Sequence, residues 1–159
     1  MKRKLFFSII LLAVVLVVSG CGRLDTTEQI IGQEEMEELA VQEGGRYSEP
    51  LKVAIHIYLY ERLPANYITK SEAASEGWES SKGNLWEVTD EMSIGGDRFG
   101  NREGRLPDAG GRHWYECDVN YYGGYRGPER LVYSNDGLIY YTDDHYETFT
   151  EIIFEENQM

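Results

Sequence analysis

The stretch Pro50-Leu51-Lys52-Val53-Ala54-Ile55-His56-Ile57-Tyr58-Leu59-Tyr60 decides the fold, because it reads in two ways. Leu51, Val53, Ile55, Ile57 and Leu59 alternate with other residues, the period of a half-buried strand. Val53, Ile57 and Tyr60 also share one helical face. On the residues alone the alternation leans towards a strand. The chain that follows is less divided. Thr69-Lys70-Ser71-Glu72 is a capping box, and Gly77 falls where a glycine ends a helix, which predicts a short helix over residues 70–76. Asn84-Leu85-Trp86-Glu87 opens another. After Asp90 the texture changes. Residues 113–121, 130–134, 138–142 and 148–154 are rich in β-branched and aromatic side chains and predict strands. Asn135-Asp136-Gly137 reads as the hairpin turn between two of them, and Gly123-Gly124 as another turn. Helices followed by strands give an α+β class, with helices packed on one face of an antiparallel sheet.

Upstream lies a different kind of sequence. Met1-Lys2-Arg3-Lys4 is basic, and residues 5–18 carry no charge, with Ser8 the single polar side chain. That run is short for a membrane-spanning helix, which needs about 20 apolar residues, and suits a secretory signal. It ends in Val18-Ser19-Gly20-Cys21, which resembles a bacterial lipobox with Cys21 as the lipidated residue. Plain secretion and an uncleaved anchor are the competing readings. Residues 22–47 are rich in Gln, Glu, Thr and Gly and read as an acidic, solvated tether. The expected organisation is therefore a signal peptide over residues 1–21, a tether over 22–47 and one domain over 48–159. The expected location is extracellular or on the cell surface, held to the membrane through a lipid on Cys21.

The chain has 159 residues and a formal net charge of −13. That balance argues against a protein that binds nucleic acid by neutralising many phosphates, although it leaves room for a small cationic cleft. Residues 1–44 account for −3 of the charge, so −10 remains on the domain. Hydrophobic residues at 42 % are enough to bury a core. Two cysteines, Cys21 and Cys117, exclude a disulfide-dense scaffold. No His/Cys cluster has zinc spacing, no Walker loop or Gly-x-Ser-x-Gly elbow occurs, and Asp136, Asp143 and Asp144 lack a calcium-loop spacing.

What remains for chemistry is the stretch Trp114-Tyr115-Glu116-Cys117-Asp118. A period of two puts Trp114, Glu116 and Asp118 on one face and Tyr115, Cys117 and Val119 on the other. Cys117 reads as a small buried thiol. Glu116 and Asp118 share their polar face with Arg126 and Arg130, which on spacing alone reads as a salt-bridged surface more readily than as a catalytic one.

Several longer motifs carry more. Leu63-Pro64-Ala65-Asn66-Tyr67-Ile68-Thr69-Lys70-Ser71-Glu72-Ala73, Ser93-Ile94-Gly95-Gly96-Asp97, Phe99-Gly100-Asn101-Arg102-Glu103-Gly104 and Asp144-His145-Tyr146-Glu147-Thr148-Phe149-Thr150 occur in order. Together they resemble the barnase-type, guanyl-specific bacterial ribonucleases from about Leu63 to Ile152. The resemblance implies the microbial ribonuclease fold, and with it a helix rather than a strand over residues 50–61. It implies cleavage of single-stranded RNA on the 3′ side of guanosine, without a metal or cofactor, through a 2′,3′-cyclic phosphate. By the same resemblance Glu116 is the general base and His145 the general acid. Lys70, Arg126 and Arg130 are cations at the phosphate, and Asp118 orients the arginines. Glu103 receives the guanine N1–H and N2 amine, Asn101 and Arg102 supply the loop, and Phe99 and Tyr146 pack against base or loop. The family is restrained in the producing cell by a small acidic inhibitor, which makes a barstar-like protein a candidate partner whose existence the sequence does not decide, and the enzyme is expected to act as a monomer. Two features depart from the pattern. Gly100 stands where the family has a serine, and this chain reads as tethered and acidic where members are free and basic. A catalytically silent RNA- or inhibitor-binding lipoprotein on the same fold is the competing function. His56 and His113, with Trp78, Trp86 and Trp114, read as structural.

Overall fold

The computed structural model describes residues 40–154. Residues 1–39, on which the expected signal segment, Cys21 and most of the expected tether fall, lie outside the described residues, as do residues 155–159.

The ambiguous stretch is a helix, α1 (Pro50–Tyr60). Proline at the first helical position has its φ preset for the helix and no N–H to leave unpaired. At the other end Glu61 takes a left-handed φ of 54°, and its N–H donates to the Ile57 carbonyl. Val53, Ala54, His56 and Ile57 are buried, whereas Leu51 and Leu59 are exposed. Burial thus follows the helical face and not the alternation. Val53, Ala54 and Ile57 pack against Cys117, Val119, Leu131 and Ile139 of the sheet, and this contact holds α1 in place. Full burial of one such aliphatic side chain contributes about 1.5–3 kcal/mol, more than the propensity difference of a short segment.

The sheet runs in sequence order: β1 (Tyr67–Ile68), β2 (Ser93–Phe99), β3 (Trp114–Asp118), β4 (Arg130–Ser134), β5 (Ile139–Thr142) and β6 (Thr150–Glu151). Every neighbouring pair is antiparallel except β1 and β2. Between β1 and β2 lie two short helices, α2 (Lys70–Ser75) and α3 (Leu85–Val88). The capping box at α2 is complete: the Thr69 hydroxyl accepts from the Glu72 N–H, and Glu72 accepts from the Thr69 N–H. The helix stops at Ser75, one residue before the expected end, with Glu76 as its cap and Gly77 at φ 98°. The hairpin turn at Asn135-Asp136-Gly137 joins β4 to β5 as expected, with Gly137 at φ 97°.

Two strand expectations need correction. Residues 93–99 form β2, the strand that binds β1 to the rest of the sheet, yet Gly95-Gly96 hides it from any propensity reading. Gly95 is required by packing, because a Cβ there would lie 2.6 Å from the Cys117 Cβ and 2.7 Å from the Tyr67 ring. A bulge follows between Gly95 and Asp97. The last strand is only Thr150–Glu151, and β3 and β5 are also shorter than residues 113–121 and 138–142.

The two faces of β3 divide as period two requires. Cys117 faces α1, and burial pushes its thiol pKa well up, so it is inert. On the opposite face Trp114 packs with Leu106 and Val132. Trp78 and Trp86 pack around Leu85, Ile94 and Tyr121, and His56 is buried with Nδ1 2.9 Å from the Arg62 carbonyl.

Candidate active site

Glu116 stands at the centre of β3, on the face turned away from α1, and is only 8 % exposed. Both carboxylate oxygens are held. Oε1 lies 2.6 Å from the Lys70 ammonium, and Oε2 accepts a 2.7 Å hydrogen bond from the Tyr146 hydroxyl. Lys70 reaches it because it is the first residue of α2. The capping box fixes that helix start, and the Lys70 N–H donates to Asp97 on β2. The lysine side chain stays 43 % exposed, so its charge is open to a ligand.

Two residues along the strand, Asp118 sits opposite Arg130 in the β3–β4 register. Both are almost completely buried. Arg126 grips Asp118 with two parallel hydrogen bonds, Nε to Oδ2 at 2.6 Å and Nη2 to Oδ1 at 2.7 Å. Its Nη1 takes no part in the pair. Burial opposes the Arg126 charge, but the hydrogen bonds and charge of Asp118 outweigh it and raise the pKa. Arg130 is held through Nη1, which donates to the Gly127 and Glu129 carbonyls. Its Nε lies 2.9 Å from Asp118 Oδ1, an ion-pair distance, but is not aligned for a hydrogen bond. Among the described residues the Glu129 carboxylate pairs with neither arginine and accepts instead from Asn120 and Tyr141. One carboxylate therefore orients two guanidinium groups.

A strained turn closes the far side. His145 and Tyr146 are consecutive non-glycine residues in left-handed conformation, φ 62° and 73°. Each costs on the order of 1–3 kcal/mol, which the surroundings must offset. Asp144 does much of this: it accepts from the Thr142 hydroxyl and from the N–H and hydroxyl of Thr148. The Thr148 hydroxyl, then its N–H, lower the Asp144 carboxyl to about 2. A depressed carboxyl contributes stability above its ordinary value and loses it only as pH falls towards about 2, so the turn is anchored in neutral and mildly acid solution. The conformation sends Tyr146 inward and leaves His145 exposed. Tyr146 stacks on Phe99 at 5.3 Å while its hydroxyl holds Glu116. Burial, then the hydrogen bond and charge of Glu116, push the Tyr146 pKa well up, so it remains a donor.

The loop after Phe99 is braced from within. Asn101, at φ 41°, closes residues 101–106 by donating to the Leu106 carbonyl and accepting from the Leu106 N–H. Arg105 donates to the Glu147 carbonyl, which ties this loop to the His145 turn. Arg102 and Glu103 are exposed at its tip. A Cβ on Gly100 would meet only Arg102, at 3.5 Å or more, and its φ is not left-handed, so the loop does not require glycine there.

The structure thus brings together Lys70, Glu116, Asp118, Arg126, Arg130 and Tyr146, with Phe99 adjoining. Among the described residues the side chains of Glu103 and His145 make no hydrogen bond. Reading residue by residue missed the Tyr146 hydroxyl on Glu116, the Asp97 anchor of Lys70, and the Tyr67 hydroxyl that donates to the Asp118 carbonyl. These partners lie 27 to 51 residues apart, so no local spacing reports them. A hollow of about 830 Å³ lies on the other sheet face, lined by Ile57, Tyr115, Tyr133 and Asp136, and contains none of the site residues. No group of His, Cys, Asp and Glu side chains among the described residues is arranged to hold a metal ion.

Comparison with known proteins adds to this arrangement. The ribonuclease family model matches residues 52–153. The chain belongs to the ribonuclease family. Relatives named ribonuclease from Bacillus intermedius and Bacillus pumilus are 62 % identical over 100 residues, 63 % of this chain and 62 % of theirs. A ribonuclease from Heyndrickxia coagulans is 61 % identical over 100 residues, 92 % of its length. The guanyl-specific ribonuclease St of Saccharopolyspora erythraea is more distant, 44 % identical over 55 residues. The chain spans about 62 % of the length of the Bacillus relatives it matches. The ribonuclease match contains every residue of the site described above, from Lys70 to Tyr146.

Proposed function

We propose that the chain is an extracytoplasmic endoribonuclease that cleaves single-stranded RNA on the 3′ side of guanosine. The observation that carries this reading is the Glu116 carboxylate, fixed between Lys70 and Tyr146 beside the Asp118–Arg126–Arg130 cluster. A rigid carboxylate next to oriented cations suits proton removal from a hydroxyl that attacks phosphorus. Glu116 takes the proton of the ribose 2′-hydroxyl, and the 2′-oxygen bonds to phosphorus. Lys70, Arg126 and Arg130 stabilise the negative charge of the five-coordinate phosphorane. His145, on its exposed turn, gives a proton to the departing 5′-oxygen. The product is a 2′,3′-cyclic phosphate. In the second step the roles reverse: His145 takes a proton from water, and Glu116 returns one to the 2′-oxygen as the ring opens. No step needs a metal, so the reaction is expected to survive a chelator.

Guanine preference rests on Glu103. Guanine presents two donors on one edge, N1–H and the N2 amine, which one carboxylate can accept together. Glu103 is exposed on a loop that Asn101 braces, and the more distant relative is named guanyl-specific. The test is cleavage of GpU and ApU by the purified domain with chelator present. Wild type should cut GpU faster. Glu103→Ala should lower kcat/KM on GpU by about tenfold or more, the loss expected when paired donors go unmatched, with a much smaller effect on ApU. Equal losses on both would assign Glu103 to folding, and an uncut GpU would leave a silent binding protein as the better reading.

Location and partners extend the proposal. Residues 5–18 and the Val18-Ser19-Gly20-Cys21 motif support export and a lipid on Cys21. Cys21→Ser should move the protein from the detergent phase to the medium, or trap an unprocessed precursor, and an unmodified wild-type Cys21 would defeat the anchor. The cationic cluster that meets phosphate also fits a small acidic, barstar-like inhibitor.

A further inference from the structure

We propose that the outer face of α1 lies on the lipid bilayer that anchors the chain; this rests on the Cys21 anchor reading above. A surface helix ordinarily carries one apolar stripe and a polar opposite face. α1 carries two apolar faces. Val53, Ala54 and Ile57 are buried against the sheet. Leu51, Ile55, Tyr58 and Leu59 occupy the opposite side, within an arc of about 100° at 3.6 residues per turn. Leu51, Tyr58 and Leu59 are 43 %, 42 % and 54 % exposed, and Ile55 is half-buried. Lys52 is the only Lys, Arg, Asp or Glu among the 11 residues of the helix. The outer side chains also explain the strand-like alternation of residues 50–60, since Leu51, Ile55 and Leu59 supply its outward members. The patch continues into the end of the sheet. Phe154 stacks on Tyr58 with ring centroids 4.6 Å apart, and Ile153 is 73 % exposed. Apolar patches of this kind mark protein or membrane contacts.

Two observations choose the bilayer. The first is where the chain enters the domain. The Val41 carbonyl lies 3.4 Å from the Tyr60 hydroxyl of α1, Glu43 pairs with Arg62 just beyond the helix, and the Gly45 carbonyl accepts from the Ala65 N–H. The segment that leads back to Cys21 therefore meets the domain at the C-terminal end of α1. Residues 22–39, 18 in all, lie between the two. Even fully extended they span at most roughly 65 Å. A lipid on Cys21 thus keeps the face beside the bilayer at high effective concentration, so a modest apolar patch suffices. The second observation is orientation. Glu116 lies on the sheet face turned away from α1. A domain seated on the outer face of α1 presents its cleft away from the lipid, where RNA can reach it. The contact is apolar and not electrostatic, because a domain with a net charge of −10 is repelled by anionic headgroups.

The experiment uses the full chain, purified from membranes and reconstituted into phosphatidylcholine vesicles. The photoreactive residue p-benzoylphenylalanine replaces Leu59 or, as a control, Asp108, which is exposed on the loop whose Leu106 packs on the opposite sheet face. After irradiation, lipid adducts at residue 59 should exceed those at residue 108 by about tenfold, since the apolar face of an interfacial helix enters about 5–10 Å into the headgroup–acyl boundary. Leu51→Gln with Ile153→Gln, both at exposed positions, should bring the residue 59 yield down to the control, with the melting curve and GpU cleavage unchanged. Phosphatidylglycerol in the vesicles should not raise the yield. Equal lipid adducts at the two positions, or adducts at residue 59 only when phosphatidylglycerol is present, overturn the docking. So do chain dimers crosslinked through residue 59, which would make the face an interface between copies. The mass of the Cys21 peptide checks the anchor separately. A lipidated Cys21 without adducts at residue 59 removes only the docking, whereas adducts at residue 59 with an unmodified Cys21 keep the face and remove the anchor.

Discussion

Glu116→Gln should lower kcat on GpU by about 10²–10⁴, the usual contribution of a positioned general base. The substitution is chosen for what it leaves alone. Glutamine has nearly the same shape, and its carbonyl oxygen can still accept from the Tyr146 hydroxyl, now at 2.7 Å from Glu116. The Lys70 ammonium, 43 % exposed, can turn to water if the amide nitrogen faces it. Stability should therefore change little, and KM should change less than kcat, because an amide cannot take the 2′-hydroxyl proton although it can occupy the same space. The measurement is kcat and KM for both proteins, with a melting curve for each. Undiminished kcat in a folded Glu116→Gln protein would sink the assignment of the base.

What the chain discloses of itself depends on how local each determinant is. The capping box at Thr69–Glu72 is a four-residue pattern whose bonds close within it, so it is visible in the sequence and starts α2 where Lys70 is needed. The two faces of β3 follow from period two, which puts Glu116 and Asp118 together on the side away from the thiol. Residues 50–60 are different. Their apolar side chains satisfy both periods, and the choice of helix is made by the sheet surface that Val53, Ala54 and Ile57 cover, which no local pattern contains. The family resemblance, not the alternation, gives the right state there. β2 is hidden for a similar reason, since Gly95 is explained only by the Cys117 and Tyr67 atoms that crowd it. At the site, residue types and order are legible through the family motifs. The Lys70–Glu116 contact and the strained His145-Tyr146 turn are products of topology.

Asp118→Ala should be the most destabilising single change at the site, by about 3–5 kcal/mol, the cost of removing one partner from a buried ion pair. Arg130 is 3 % exposed and, among the described residues, its ion pair with Asp118 is joined by hydrogen bonds from Nη1 to two backbone carbonyls. Without the carboxylate its charge would remain buried and uncompensated. Arg126, with 21 % of its side chain exposed, has a way out to water, so the penalty should come mainly from Arg130. Replacing Arg130 as well, in an Asp118→Ala/Arg130→Met protein, should therefore recover part of the lost stability, since a hydrophobic pair of similar volume avoids the desolvation cost. Function should not follow stability. The double variant should be nearly inactive, because Arg126 would lack the two-point grip that aims it and the second phosphate cation would be gone. Urea unfolding of wild type, the single and the double variant tests the first half, with the midpoint shifting and the slope held constant. Cleavage of GpU below the unfolding transition tests the second. If the double variant were no more stable than Asp118→Ala, the loss would lie in packing around Asp118 and not in a stranded charge. If Asp118→Ala kept wild-type kcat while folded, the arginines would be oriented by other contacts, such as those of Arg130 to the Gly127 and Glu129 carbonyls.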